Sequence, residues 1–241
     1  MLKTIIALPD GTELSSGAGA TNAIKNITIT ECVNDDQELS LGSTCSNMIE
    51  LTVISPNGGF SIAEGDEITV YRESETERQK IGVFISEKPT RASAHTFKLT
   101  AYDRVILLDK DLTDWLASLD AWPYTLYDFS KMVCEQCGLK LLNEELPNGG
   151  FFIRAFSASG ITGRQIIKWA GQLSGRFCRA TADGDLEFAW YTPVTVPSIG
   201  IAPEKIISYT SDENGTVEIT GDALAVSESD GTVNIQSEAI T

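Results

Sequence analysis

One histidine, His95, serves the whole chain of 241 residues. A zinc site built on imidazoles needs more than one. A Ser/His/Asp arrangement would rest on this single ring, with no G-x-S-x-G elbow to present a nucleophile. His95 is in phase with Phe97 and Leu99, so it is expected near the start of a strand's buried face. Long apolar runs are missing as well. No window of about 20 residues is continuously apolar, so no helix is expected to span a bilayer, and the reading is of a soluble protein. The opening "MLKTIIALPDGTELSS" reaches Pro9, Asp10 and Glu13 too soon for a secretory leader and reads as a first strand followed by a Pro-Asp-Gly turn. Basic charge is scarce: 18 Lys and Arg against 34 Asp and Glu leave a net charge of −16. That field repels phosphate backbones and anionic headgroups, which argues against nucleic-acid readers and membrane-surface binders, although an acidic wall would keep DNA from sticking to a conduit. Cysteines number five, an odd count in a long chain, which argues against a disulfide framework and for reduced thiols in a cytosolic synthesis compartment.

The remaining motifs that could carry chemistry are incomplete. Cys134 and Cys137 form one C-x-x-C inside a predicted helix, with no partner pair to complete four metal ligands and no strand before it to suit a redox site. Carboxylate pairs such as Asp35 and Asp36, Asp109 and Asp111, or Glu144 and Glu145 flank turns and read as solvated. Gly17, Gly19, Gly58, Gly59, Gly149 and Gly150 lack the strand, loop and helix context of a phosphate cradle. Trp122, Tyr124 and Tyr127 are the strongest hint of a small ligand, since such rings stack on sugars; they equally suit packing at a helix start. No catalytic residue, cofactor site or metal site is therefore assigned.

What the sequence does have is periodicity. From residue 24 to 101 apolar residues return at every second position, as in Ile49, Leu51 and Val53 or Phe97, Leu99 and Ala101, between turn clusters such as "VNDD", "SPNGG" and "AEGD". After Arg104, Leu112, Trp115, Leu116 and Leu119 take helical spacing. Thr125 with Asp128, and Thr162 with Gln165, mark two further helix starts, the first with Leu126, Phe129, Val133 and Cys137 as its inner face and the second followed by Ile166, Trp169, Ala170 and Leu173 at helical spacing. Strands resume in "RFCRATADGDLEFAWY", where Asp183-Gly184 fits a two-residue hairpin turn. A weak echo follows, "ENGTVEIT" at 213–220 and "SDGTVNIQ" at 229–236, each read as half of a hairpin. The expected fold is α+β, mainly β: two antiparallel β-barrel-like domains with a helical segment between them. The expected boundaries are 1–102 for the first barrel, 103–176 for the helical connection, and 177–241 for the strands completing a second β domain.

The order of three pieces resembles the baseplate-hub and tail-tip proteins of tailed bacteriophages and prophages. They are a strand ending in Thr100 to Asp103 before a Leu-rich helical start, the helix "YDFSKMVCEQCGLKL", and the helix ending "AGQLSGRF" that feeds a hairpin closing with "LEFAWY". Together they cover roughly residues 24 to 192, and the chain is short for a complete hub. The resemblance implies a virion tail protein made in the host cytoplasm and no catalytic residues. It implies a homotrimeric ring of barrel-like domains joining the tail tube or distal tail ring to fibre and tip proteins. It also makes Tyr102, Asp103 and Arg104 a structural joint: Tyr102 covers the barrel end with its hydroxyl on a backbone partner, while Asp103 and Arg104 pair or cap. Two alternatives differ in class: a tail-associated cell-wall hydrolase or endopeptidase, and a carbohydrate-binding module.

Overall fold

Period-two alternation becomes strand in every described stretch that carries it. The computed structural model describes residues 3–16, 23–32, 41–55, 61–156 and 158–190, and five strands beyond residue 197. The chain divides into two units, Met1–Trp190 and Tyr191–Thr241.

In the first unit β1 (Lys3–Ala7), β2 (Glu13–Ser15), β3 (Ile24–Thr30), β4 (Met48–Ile54), β5 (Glu67–Glu73), β6 (Arg78–Ser86), β7 (Thr90–Arg91) and β8 (Thr96–Asp103) form one antiparallel sheet. Its order is β2-β1-β5-β6-β8-β4-β3, with β7 added on β8. Ile6, Ile49, Leu51, Val53, Ile68, Val70 and Leu99 meet in one cluster and are almost wholly buried. Each such side chain contributes about 1.5 to 3 kcal/mol on burial, and a slip of one residue would turn a whole strand's set outward, so this cluster fixes the register. Where β5 and β6 fall out of step between Val70 and Tyr71, Gly82 leaves room for the Phe84 ring, which a Cβ at that position would meet at 2.9 Å.

The expectation of barrels is corrected: the sheet is open. Its edge strands β2 and β3 share no ladder, touching where the Ala23 N–H donates to the Ser15 carbonyl at 3.1 Å. Midway along that order β6 and β8 pair through three residues, Phe84 with Asp103, Ile85 with Tyr102 and Ser86 with Ala101. Further back along that edge β8 takes β7 as partner, through Thr90 with Lys98 and Arg91 with Phe97. A closed barrel needs uninterrupted pairing around its circumference. Here the missing ladder between β2 and β3 leaves the ring of hydrogen bonds open around one core.

The helical part follows as a 3-10 helix (Arg104–Asp109), α1 (Thr113–Ala117), β9 (Tyr124–Thr125), α2 (Leu126–Gln136), β10 (Phe152–Ile153), α3 (Gly163–Ser174), β11 (Phe177–Ala180) and β12 (Leu186–Ala189). The capping readings hold. Thr125 Oγ1 accepts from the Asp128 N–H at 3.1 Å, Thr162 Oγ1 accepts from the Gln165 N–H at 3.3 Å, and Gly175 ends α3 in the left-handed region. The stretch expected to be helical through Leu119 is instead broken, because residues 110–112 are drawn extended against 161–163. There the Leu112 N–H donates to the Ile161 carbonyl at 2.8 Å and the Gly163 N–H to the Lys110 carbonyl at 3.1 Å. A second cluster, among it Val105, Leu108, Leu126, Phe129, Val133 and Ile167, also takes in Cys178, Leu186 and Phe188 of the β11–β12 hairpin. The hairpin expected to open the segment 177–241 thus packs within the first unit. Its turn is longer than the predicted dipeptide: the Thr181 N–H donates to the Asp185 carbonyl at 2.8 Å, and Gly184 sits at φ 83°, where a side chain would be strained.

In the second unit β13 (Ser198–Ile201) runs parallel to β17 (Thr232–Ser237), and β16 (Leu224–Ser229) pairs with β17 antiparallel. β14 (Ser208–Ser211) pairs with β15 (Val217–Thr220). The two echoed segments supply β15 and β17, each the second strand of a hairpin; their turns lie outside the described residues, as do "VNDD" and all of "SPNGG" after Ser55.

The expectation of five reduced thiols is also corrected, since Cys32 and Cys45 form a disulfide with Cα atoms 5.9 Å apart, while Cys134, Cys137 and Cys178 are free and buried. An odd count excludes pairing of all five, not of two. Replacing both Cys32 and Cys45 by Ser should cost about 3 kcal/mol, the loop-closure entropy of a ring of about 15 residues. Urea unfolding of the oxidised protein and of the variant checks this, and coincident midpoints would contradict it.

Candidate functional site at the sheet-to-helix joint

The alternation of β8 does not stop at Tyr102. It continues one step, through Leu99 and Ala101 to Asp103, which is 3% exposed and so places a carboxylate on the apolar side. Both of its oxygens are used: Oδ2 accepts from the Asn47 N–H at 2.9 Å and Oδ1 from the Val105 N–H at 3.1 Å, capping the 3-10 helix. The Asp103 N–H donates in turn to the Asn47 carbonyl at 2.9 Å. Burial pushes the carboxyl up to about 6, against the two backbone donors and the nearby Arg164 guanidinium, which pull it down.

Arg104 does not pair with Asp103. Its Nε lies 3.2 Å from Glu67 Oε1, close enough for an ion pair but without hydrogen-bond geometry. Its methylenes run against Gly184, where a Cβ would meet Arg104 Cδ at 2.5 Å, so the hairpin turn needs glycine there for a second reason. Lys80 Nζ on β6 donates to Asp183 Oδ1 at 2.9 Å, holding the same turn to the sheet. Tyr102 is half-buried, and its hydroxyl has no hydrogen-bond partner among the described residues.

The residue that sequence reasoning missed is Arg164, the second residue of α3. Its Nε and Nη2 grip Asp109 Oδ1 and Oδ2 at 2.5 and 3.1 Å, Nη1 reaches the Thr44 carbonyl at 2.5 Å, and Nη2 also reaches Ser46 Oγ at 3.1 Å and the Val105 carbonyl at 3.3 Å. One guanidinium therefore ties α3, the 3-10 helix and the strap 42–47 that leads into β4. The strap is held from both sides, by the Cys178 N–H on the Ser43 carbonyl at 2.8 Å and by Gly42 against Gly171, where a Cβ on Gly171 would come within 2.8 Å of Gly42. Nothing local marks Arg164; the glycines at 42, 163, 171 and 175 were the available signal of close backbone approach.

The other candidates disperse. His95 is exposed in the turn before β8, not on its buried face, with Nδ1 3.2 Å from the Ser55 carbonyl. Burial pushes the Cys134 thiol up to about 12 and raises Cys137 and Cys178, which disfavours the thiolate that a metal or a redox partner would need. Asp109 serves Arg164, whereas exposed Asp111 accepts from the Thr113 N–H at 2.8 Å; Glu144 and Glu145 are exposed. Asp35, Asp36, Gly17, Gly19, Gly58 and Gly59 lie outside the described residues. Trp122 and Tyr124 pack edge to face at 5.0 Å, Trp122 lies 5.4 Å from the Phe129 ring, and the Tyr127 hydroxyl donates to the Asn143 carbonyl at 3.0 Å. These rings cover the second core and are not aligned in the open as a sugar platform. Exposed apolar surface gathers instead at Phe151, Phe152, Trp169 and Leu173.

The geometry defines a mainly β scaffold braced by a polar joint, and solved structures share the fold of that scaffold. The chain is similar to the 43 kDa tail protein of prophage MuSo2 from Shewanella oneidensis, with a TM-score of 0.56 at 12% identity over 87% of this chain and 62% of that one. It is equally similar to the tail protein from Neisseria meningitidis MC58, with a TM-score of 0.56 at 13% identity over 92% of this chain and 67% of that one. At such identities the likeness establishes a common fold. The chain spans about two thirds of the length of these proteins. No protein-family model matches the sequence, and no curated protein matches it.

Two outcomes are expected at the joint. Because Asp103 has a folded-state pKa near 6, above its unfolded value of 3.8, the folded protein binds that proton more tightly. Stability from this group is full below about pH 4 and is lost as pH rises to about 6, a change on the order of 3 kcal/mol. The stability advantage of the wild type over Asp103→Asn should therefore shrink across that window in denaturant titrations; a constant gap would show that the carboxyl does not titrate there. Separately, Arg164→Lys keeps the charge but not the fork, and should lose about 2 kcal/mol, or roughly 4 to 8 °C in Tm for a unit of this size. An unchanged Tm would remove Arg164 from its bracing role.

Proposed function

We propose that this chain is a structural, non-catalytic component of a phage or prophage tail, forming a ring at the tail tip that joins the tail tube or distal tail ring to the tip apparatus. The observation that supports it is the fold held in common with two tail proteins, one of them from a prophage, over 87% and 92% of the chain. The joint fits the role. In this reading Tyr102, Asp103 and Arg104 serve as its structural elements, with Arg164 as the brace, and the buried carboxylate caps and ties backbone where a catalytic carboxylate would face substrate. A homotrimer is the assembly this reading favours, with the tube or distal ring on one side and fibre or tip proteins on the other.

The test uses the intact virion. Prophages of the source bacterium are induced, tailed particles purified, and the chain sought by mass spectrometry and by antibody labelling in electron micrographs. The expected result is its presence in particles with label at the tip. Intact particles that lack the chain would overturn the proposal, and label confined to the shaft would overturn the placement at the tip.

A further inference from the structure

Three features meet on one side of α3. The first is apolar exposure. Phe151 is 57% exposed, Phe152 63%, Trp169 42% and Leu173 45%, and they surround a groove of about 470 Å³ floored by Leu126 and Phe129. Exposed apolar side chains met singly are ordinary; four large ones around a single concavity mark a contact surface.

The second feature is backbone. β10 pairs on one edge with β9, through Phe152 with Thr125 and Ile153 with Tyr124, and its other edge has no strand beside it among the described residues. Peptide groups along such an edge are what an incoming extended segment bonds to.

The third is charge. Arg154, directly after β10, is the one charged residue among those lining the groove, and it has no hydrogen bond or ion pair among the described residues. In a chain of net charge −16, a cation at an apolar groove selects a carboxylate. The same charge disfavours a twofold contact between two copies through this groove, since an isologous pairing would bring Arg154 toward Arg154.

We propose that the groove between β10 and α3 is a docking site for an extended segment of another protein, alternating apolar and acidic residues. The segment adds as a strand to the free edge of β10, seats apolar side chains among Phe152, Trp169 and Leu173, and sets a carboxylate on Arg154. The inference stands on the first unit's geometry and is independent of the assignment to a tail.

The probes are two capped octapeptides, one alternating Val and Glu and one alternating Val and Lys, titrated into the full chain while the amide signals of residues 152–154 are followed by NMR. Binding of the acidic peptide at least tenfold tighter than the basic one is expected, with reversal of that preference in Arg154→Glu and loss of binding in Phe152→Asp at unchanged Tm. N-methylation of alternate peptide amides should weaken binding about tenfold. Equal binding of the two peptides, or none, would overturn the proposal. So would self-association in sedimentation that Phe152→Asp abolishes, since the occupant would then be a second copy.

Discussion

The Arg164 guanidinium and the Asp103 carboxylate hold together three stretches that hydrophobic burial alone would leave free to slide. Each apolar cluster closes on itself, one inside the sheet and one among the helices. Burial is non-directional and sets no orientation between two such bodies. The strap 42–47 supplies orientation, because its carbonyls and N–H groups bond to Arg164, Asp103 and Cys178, residues on three different elements. Those partners are directional, and a fork of five donors accepts few alternative geometries.

This arrangement carries an electrostatic cost. Asp103 keeps its charge above about pH 6 in a site that disfavours it, and is retained because two backbone N–H groups would otherwise be buried without an acceptor. The joint is thus a place where local stability is traded for a fixed angle between sheet and helices. The groove on the far side of α3 shows the opposite economy: apolar side chains left in water where the isolated chain gains nothing from their exposure.

Much of the fold was legible in residue patterns. Both threonine caps, the glycine at the end of α3 and the alternation of the strands appear where periodicity and capping chemistry put them, since those signals act over a few residues. The failures were of longer range. Closure into a barrel depended on whether the edge strands β2 and β3 pair, which no alternation encodes. His95 kept the phase of β8 but fell in the turn before it. Trp169 and Leu173 carried a helical stripe that the sequence cannot divide into a buried half and an open one. Cys32 and Cys45 were hidden by an odd count.

By itself the sequence determined the mainly β class of structure and the ends of α2 and α3, because each follows from residue type and local spacing. Tertiary structure alone decided that the sheet stays open, that Asp103 is buried, and that Arg164 reaches back about 120 residues to Thr44. Those outcomes depend on which distant backbone groups are left without partners once the two cores have formed, and that is a property of packing in three dimensions with no counterpart in any short stretch of the chain.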